Sequence, residues 1–419
     1  MVTKLGPLTV RRWRVDFSEA APSEPDSAPI QEFLPSVRIG WGIELGESLL
    51  RLQDSLVDLT PVDPRIARLA RSIVKEVPKT DELAKAQQLY RWILDNVEDG
   101  EETDGRRVII SKNGNRWRGF MTLCRALDID VSYAVAQNRL AIPAIGPLSE
   151  AGQFAVPLLS LGGGKHPTWL TVSSKYAPFG YVPAEVRGMP GYILSGPEPR
   201  KTMIPEGGTK DGVVYSGSAK VDAQGAATAE LVLQFQGKYA TGIRTALASM
   251  PENQIRDTLE SGLLGTALRG AQLREYKIGD LDDLDAPLSF HLKARVPHFA
   301  QKSGQHLILS PPFMPQLSRM AALPSRKTPL LLDEANYQKI RLDIELPAGA
   351  RVVSAVGKAD LQNEGRQVQV ADKLEKNTLT LERVIDLPAG RVQPEQYPRF
   401  VDFARKADDA LASSIRIQL

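Results

Sequence analysis

A chain of 419 residues with 42% hydrophobic and 24% charged residues has an ordinary globular composition and is long enough for two or three domains. Fifty-two basic residues against 50 acidic ones leave a net charge of +2, which excludes a global bias toward nucleic acid or another polyanion. One cysteine excludes an internal disulfide and a cysteine-based zinc site, and no run of about 18 apolar residues is present to span a membrane.

The first residues, Met1 to Gly6, carry no apolar stretch and do not read as a signal peptide. Residues 10–17 alternate as a strand does, 20–29 are proline-rich and extended, and 33–39 read as a second short strand. Two strands this short do not hold themselves together. Residues 1–45 are therefore expected as the tail of an N-terminal β-rich module, or docked on the rest. Asp63 and Pro64 form a helix start, with Ile66, Leu69, Ile73 and Val77 on one face and Pro78 ending the run. A second helix starts at Thr80, with Asp81 and Glu82 in its first turn, where the helix dipole favours acids. Its apolar face is Leu83, Ala86, Tyr90, Ile93 and Val97.

An acidic loop, 98–104, then gives way to residues 105–127, which hold six basic residues and no acidic one. Gly114 marks a turn before a third helix at about 117–127, and a strand follows at 131–136. Residues 154–161 and 168–172 flank the glycine-rich stretch 162–167 as a hairpin. Segments 178–183 and 188–194 close this unit, and the Pro- and Gly-rich 196–212 reads as a linker. In the remainder, 213–221 and 226–236 are strands joined by a turn at 222–225. Further strands are expected at 288–296, 340–346, 366–370 and 378–386. One helix at 251–268 interrupts them, and another at 398–412 precedes a last strand at 415–419. This divides the chain into a core at 46–195, the linker 196–212 and a C-terminal β-rich domain at 213–419.

In the stretch from Lys112 to Val131, a glycine turn opens an apolar helix that leads through a short turn into an apolar strand. This layout is similar to the nucleophile segment of the transglutaminase-like superfamily. The helix from Leu89 to Val97 resembles the one that precedes that segment in the family. Tyr176 to Ala184, with Gly191 to Leu194, looks like the family's closing segment. The chain also resembles bacterial multidomain proteins in which a β-rich module of unknown function precedes this core and a second β-rich domain follows. Residues 13–38 look like the end of such a first module. The likeness runs along nearly the whole chain and is best between residues 83 and 194. It implies an α+β protein: a transglutaminase-like (papain-like) core followed by a β-rich, sandwich-like domain. It also implies a periplasmic or cell-envelope setting, since such proteins commonly carry an export signal.

Active members of the superfamily use a Cys-His-Asp triad. Carried over residue by residue, the nucleophile position falls on Arg116, the imidazole position on Val156 and the carboxylate position on Thr171. A guanidinium does not deprotonate in a protein and cannot attack a carbonyl. The expectation is a pseudoenzyme: a non-catalytic binding or assembly module with an unknown protein or an acidic ligand as partner, and no nucleic acid. The alternative is a cysteine-dependent acyl transferase or peptidase with a displaced nucleophile, Cys124, and His166 as its base. Cys124, however, lies about 12 Å along the helix from Arg116. Beside Phe120 and Leu127 it reads as a small apolar packing residue, and the glycines around His166 read as a turn.

Arg106, Arg107, Lys112, Arg116 and Arg118, with Trp117, form a candidate anion-binding cluster at the helix start. In the competing reading the acidic loop 98–104 neutralises them. His291, His298 and His306 have no acidic or cysteine helpers at metal-ligand spacing. The acidic run 280–285 lacks the glycine and terminal glutamate of a calcium loop and is expected as a solvated turn. No serine or threonine follows Lys165 as a phosphate-binding loop requires. No cofactor and no metal are expected.

Overall fold

A computed structural model describes residues 2–17, 20, 22–35, 37, 39, 44–56, 61–141, 151–162, 167–172 and 174–419. The chain is a mixed α+β protein. It opens on a small hairpin, β1 (Val2–Leu5) and β2 (Leu8–Arg11), whose residues are exposed on both faces. The strand expected over 10–17 thus ends at Arg11. No strand is found among the described residues of 33–39, and a short 3-10 turn, Ile30–Glu32, precedes them.

Residues 24–32 are docked on the far half of the chain. The Glu24 carboxylate accepts the Lys327 and Thr328 amides at 2.9 and 3.0 Å, and Ala28 N donates to the Pro329 carbonyl at 2.9 Å. Glu32 grips Arg391 through two bonds of 2.5 and 2.8 Å. The same guanidinium donates to the carbonyls of Leu140 and Ala141 at 3.0 and 2.9 Å. One arginine therefore joins three distant segments.

Five helices follow: α1 (Leu45–Leu56), α2 (Pro64–Ile73), α3 (Glu82–Asn96), α4 (Gly105–Ser111) and α5 (Arg116–Arg125). Asp63 caps α2, its side chain accepting Arg65 N at 2.8 Å, with Pro64 at the first helical position. Asp81 lies outside α3 as its cap, accepting Ala84 N at 2.9 Å. The helices lie on a five-stranded sheet made of β3 (Val131–Ala136), β4 (Val156–Leu161), β5 (Thr168–Leu170), β6 (Pro190–Leu194) and β7 (Arg200–Met203), in the order β5-β4-β3-β6-β7. β7 falls within 196–212, so that stretch contributes an edge strand as well as a connection. Alternation along the strands divides the two faces. Leu159, Leu161 and Leu170 pack under the helices with Leu89, Ile93, Phe120 and Leu123, while Ala134, Leu158, Trp169 and Ile193 form a second cluster with Val182, Val186 and Ile204.

The second half is built on β8 (Gly212–Val221), β9 (Ala227–Gln236), α6 (Lys238–Ser249), α7 (Glu252–Asp257), a π-helical turn (Thr258–Leu264) and α8 (Gly265–Ala267). The helix expected over 251–268 is thus broken into three pieces. Strands β10 (Gln272–Gly279), β11 (Leu288–Val296), β12 (Ala300–Ser303), β13 (His306–Leu309), β14 (Leu330–Leu332), β15 (Asn336–Glu345), β16 (Arg351–Val352), β17 (Lys358–Asn363), β18 (Arg366–Ala371), β19 (Lys373–Glu375), β20 (Thr378–Leu387) and β21 (Gly390–Val392) follow. The chain ends with α9 (Tyr397–Ala412) and β22 (Ile415–Gln418). A nine-stranded sheet runs β10-β11-β9-β8-β15-β20-β18-β17, with β19 also on β20, and β8 and β15 are its parallel pair. Its apolar face shares one core with the sheet β12-β13-β22-β16 and with α9, through Leu307, Leu309, Ile415, Ile417, Phe400 and Leu411.

The acidic run 280–285 is an exposed turn, as expected, and it is also docked on the helices. Leu284 is buried in the helical cluster, and Asp285 accepts from Gln87 (2.6 Å), Arg91 (2.8 Å) and the Phe179 amide (3.0 Å). The β10–β11 loop is a clasp that seats the second half of the chain on α3.

Candidate functional site

The start of α5 is the position the sequence singles out. Asn115 caps the helix, its side chain accepting Arg118 N at 3.4 Å, and Arg116 is the first helical residue. Gly114 sits at φ +132°, and a Cβ there would lie 2.7 Å from both the Glu102 carbonyl oxygen and Val108 Cγ2. Only glycine permits so close an approach. The acidic loop therefore lies directly over the turn: Gly114 N donates to the Glu98 carbonyl at 2.9 Å, and Asn115 N to the Glu102 carbonyl at 2.8 Å. Beneath this roof Arg116 is buried, and its Nε donates to the Val97 carbonyl at 2.8 Å.

The other two positions to which the resemblance assigns a triad are held elsewhere. Val156 opens β4 opposite Ala136 and packs in the cluster on the sheet face away from the helices. Thr171 follows β5, is buried, and offers its carbonyl to the Tyr90 hydroxyl at 2.9 Å. Burial raises the Tyr90 hydroxyl pKa far above its ordinary value, so it remains a donor. None of the three lines the open groove of about 1030 Å³ beside α5, which is bordered by Arg106, Arg118, Arg125, Asp104, Asp128 and Asp130.

Of the five basic residues of the candidate anion cluster, only Arg106 and Arg118 border this groove. Arg106 pairs with Asp104 at 2.9 Å, and this bond, with the Arg106 and Arg107 amides at the cap, lowers the Asp104 pKa to about 2. Arg107 faces Glu102 at 3.7 Å, and Lys112 ends α4 in the left-handed region at φ +57°. Arg118 lies over the Trp117 ring at 4.5 Å and donates to the carbonyls of Ser55 and Leu56 at 3.0 and 3.1 Å. The acids of 98–104 and nearby carbonyls take up these charges, and the groove is mixed in sign. Glu98 also reaches Lys175, between β5 and β6, at 3.9 Å.

Cys124 is fully buried in α5, and burial pushes its thiol pKa far above the ordinary range. His166 lies outside the described residues. The remaining histidines, His291, His298 and His306, all belong to the second half of the chain. Among the described residues no three His, Cys, Asp or Glu gather to hold a metal ion, and no helix is long and apolar enough to cross a membrane.

One buried polar junction escaped sequence reading. Asp211 accepts the Tyr181 hydroxyl at 2.9 Å and the Lys238 amide at 2.6 Å, with Arg187 at 3.6 Å. It joins the closing segment of the five-stranded unit to the start of α6. Its only signal was a charged residue between glycines and a strand.

Comparison with known proteins gives little beyond architecture. Residues 305–417 match a family model described as a domain of unknown function with a solved structure, DUF3858. A crystal structure of a putative protease from Parabacteroides distasonis is similar over 89% of this chain, with a TM-score of 0.50 and 12% identity. This chain spans 59% of that one, and at such identity the likeness is one of fold alone. No curated protein matches the chain.

Proposed function

We propose that the protein is a non-catalytic member of the transglutaminase-like superfamily, acting as a binding or assembly module, with a bacterial cell-envelope setting implied by resemblance. Its core is the helical layer and five-stranded sheet, and the β-rich half is a partner-facing domain. One observation carries this reading. Where a thiolate would stand at the start of α5 there is a buried guanidinium bonded to a backbone carbonyl, closed over by the 98–104 loop. Acyl transfer needs a nucleophile within reach of a base and open to substrate. A valine and a threonine at the other two positions supply neither base nor orienting carboxylate.

The similar solved chain is a putative protease, so an enzyme reading stands as the alternative. It rests on Cys124, the one thiol in the chain, which is buried and carries a raised pKa. A thiol held protonated is a poor nucleophile. The test is turnover of fluorescently labelled casein, and of a glutamine-donor protein with a dansylated amine, by the full chain and by Cys124→Ala. The expected result is no turnover above buffer for either. Turnover by the parent chain that falls at least 100-fold in Cys124→Ala would overturn the proposal.

A further inference from the structure

Acidic and basic residues are nearly equal in number along the chain, yet one large groove holds charge of a single sign. It has a volume of about 1140 Å³ and lies between the turn after the π-helical segment, strand β12 and the loop 310–315. Arg269, His298 and Lys302 line it, and no aspartate or glutamate does. Lys302 spends one N–H on the Gln224 side chain at 2.9 Å, which leaves its charge unneutralised by that contact.

Both walls of the groove are built from irregular backbone. On one side Phe313 is held at φ +61°, a conformation that costs an aromatic residue of order 1–3 kcal/mol and persists only where the surroundings impose it. That geometry stacks its ring on Tyr215, centroids 4.4 Å apart and planes 27° apart. Tyr215 is half-buried, and burial with the neighbouring Tyr239 pushes its hydroxyl pKa up to about 12, so it stays a neutral donor. On the other side the chain leaves a seven-residue π-helical turn, a form that concentrates at functional sites, and enters the groove at Thr266. Amides are set around this floor: Gln224, Gln301 and Gln338 all border the groove.

We propose that this groove binds an acidic oligosaccharide, with sugar carboxylates at Arg269 and Lys302, a ring face against the outer side of the Tyr215–Phe313 stack and hydroxyls on the glutamine amides. An aromatic face with amides suits a polyhydroxylated ring, and unopposed cations select the carboxylate-bearing kind. An acidic peptide fits less well. A peptide adding to a sheet edge needs free backbone donors. On β12, the edge strand among those bordering the groove, the Ala300 amide already donates to the Gly225 carbonyl at 2.9 Å. The inference goes beyond the pseudoenzyme reading and does not depend on it, because the groove shares no residue with α5 or its roof.

The test is calorimetric titration of the full chain with hexagalacturonate, its fully methyl-esterified form and hexaglutamate, at low and high salt. Hexagalacturonate is expected to bind, with the ester at least tenfold weaker. In Arg269→Ala plus Lys302→Ala the affinity is expected to fall at least tenfold and to lose most of its salt dependence. Both side chains are exposed, so the variant should keep the parent melting temperature. Absence of hexagalacturonate binding, an unchanged affinity in the double variant, or equally tight hexaglutamate binding would each overturn the assignment.

Discussion

Replacing Asp372 with asparagine is expected to cost about 3–5 kcal/mol of stability, the usual penalty for stripping one partner from a buried ion pair. Asp372 and Arg383 have side chains with 0% exposure, joined by bonds of 2.6 and 3.3 Å. Arg383 also donates to the Leu411 carbonyl at the end of α9 and to the Met314 sulfur at 3.2 Å. The pair therefore ties β20 to the last helix and to the wall of the groove. Asparagine keeps the shape but removes the charge, and the guanidinium is left buried without its counter-ion. In a half-chain of this size the loss corresponds to a fall in melting temperature of roughly 6–20 °C. The double variant Asp372→Leu plus Arg383→Met should recover much of it, since an apolar pair carries no desolvation penalty. Denaturant unfolding of the three proteins checks this, and a loss below about 1 kcal/mol in the single variant would contradict it.

Arg244→Met is expected to release the clasp between the two halves. Arg244 is buried on α6 and donates to the carbonyls of Asp280 (2.7 Å), Asp283 (2.7 Å), Ala286 (3.0 Å) and Leu281 (3.1 Å). Methionine fills the space but orphans the carbonyls, at a cost of about 3 kcal/mol or more. Without its post the loop no longer presents Leu284 to the helical cluster or Asp285 to Arg91. The Phe179 amide, bonded to Asp285, should then exchange hydrogen at least tenfold faster, and unchanged exchange would contradict the clasp. Acid should act on the same joint. Burial works against the Asp285 charge, yet Arg91, the Phe179 amide and Gln87 hold its pKa below the ordinary carboxylate value. A depressed folded pKa stabilises above the unfolded pKa and is lost as pH falls through the folded one. The joint should therefore loosen below the ordinary carboxylate range, and Asp285→Asn should flatten that limb of the stability profile.

Strands β8, β9, β11, β15, β18, β20 and β22 were legible in the sequence, whereas β10, β12, β13, β14, β16, β17, β19 and β21 were not. The segments 226–236, 288–296 and 378–386 each bury every second residue for much of their length, and that alternation made them readable. α2 and α9 were legible from a proline at the first or second position and an apolar face. α4 was missed because seven residues carry too short a period, and α6 because Gly237 gives it no side-chain cap. The clasp was invisible for a different reason. A run of aspartates reads as solvated, and its partners Arg91 and Arg244 lie far away in sequence. At the candidate site, the turn at Gly114 and a basic residue, Arg116, where the resemblance places a nucleophile could be read from the chain; the Asn115 cap was not. The roof over them could not, because it depends on backbone bonds between 98–102 and 114–115. The groove at Phe313 left only a proline-rich string, 311–315, as its trace.

The most direct measurement is the rate at which Cys124 reacts with a small alkylating reagent in the native protein, followed from pH 6 to pH 9. A thiol sealed in α5 should react only through unfolding, at least 1,000-fold slower than in denaturant and with the pH dependence of an ordinary thiol, its midpoint at about 8.5. Rapid native labelling that rises with a midpoint near or below neutral pH would show an activated thiolate and contradict the non-catalytic reading.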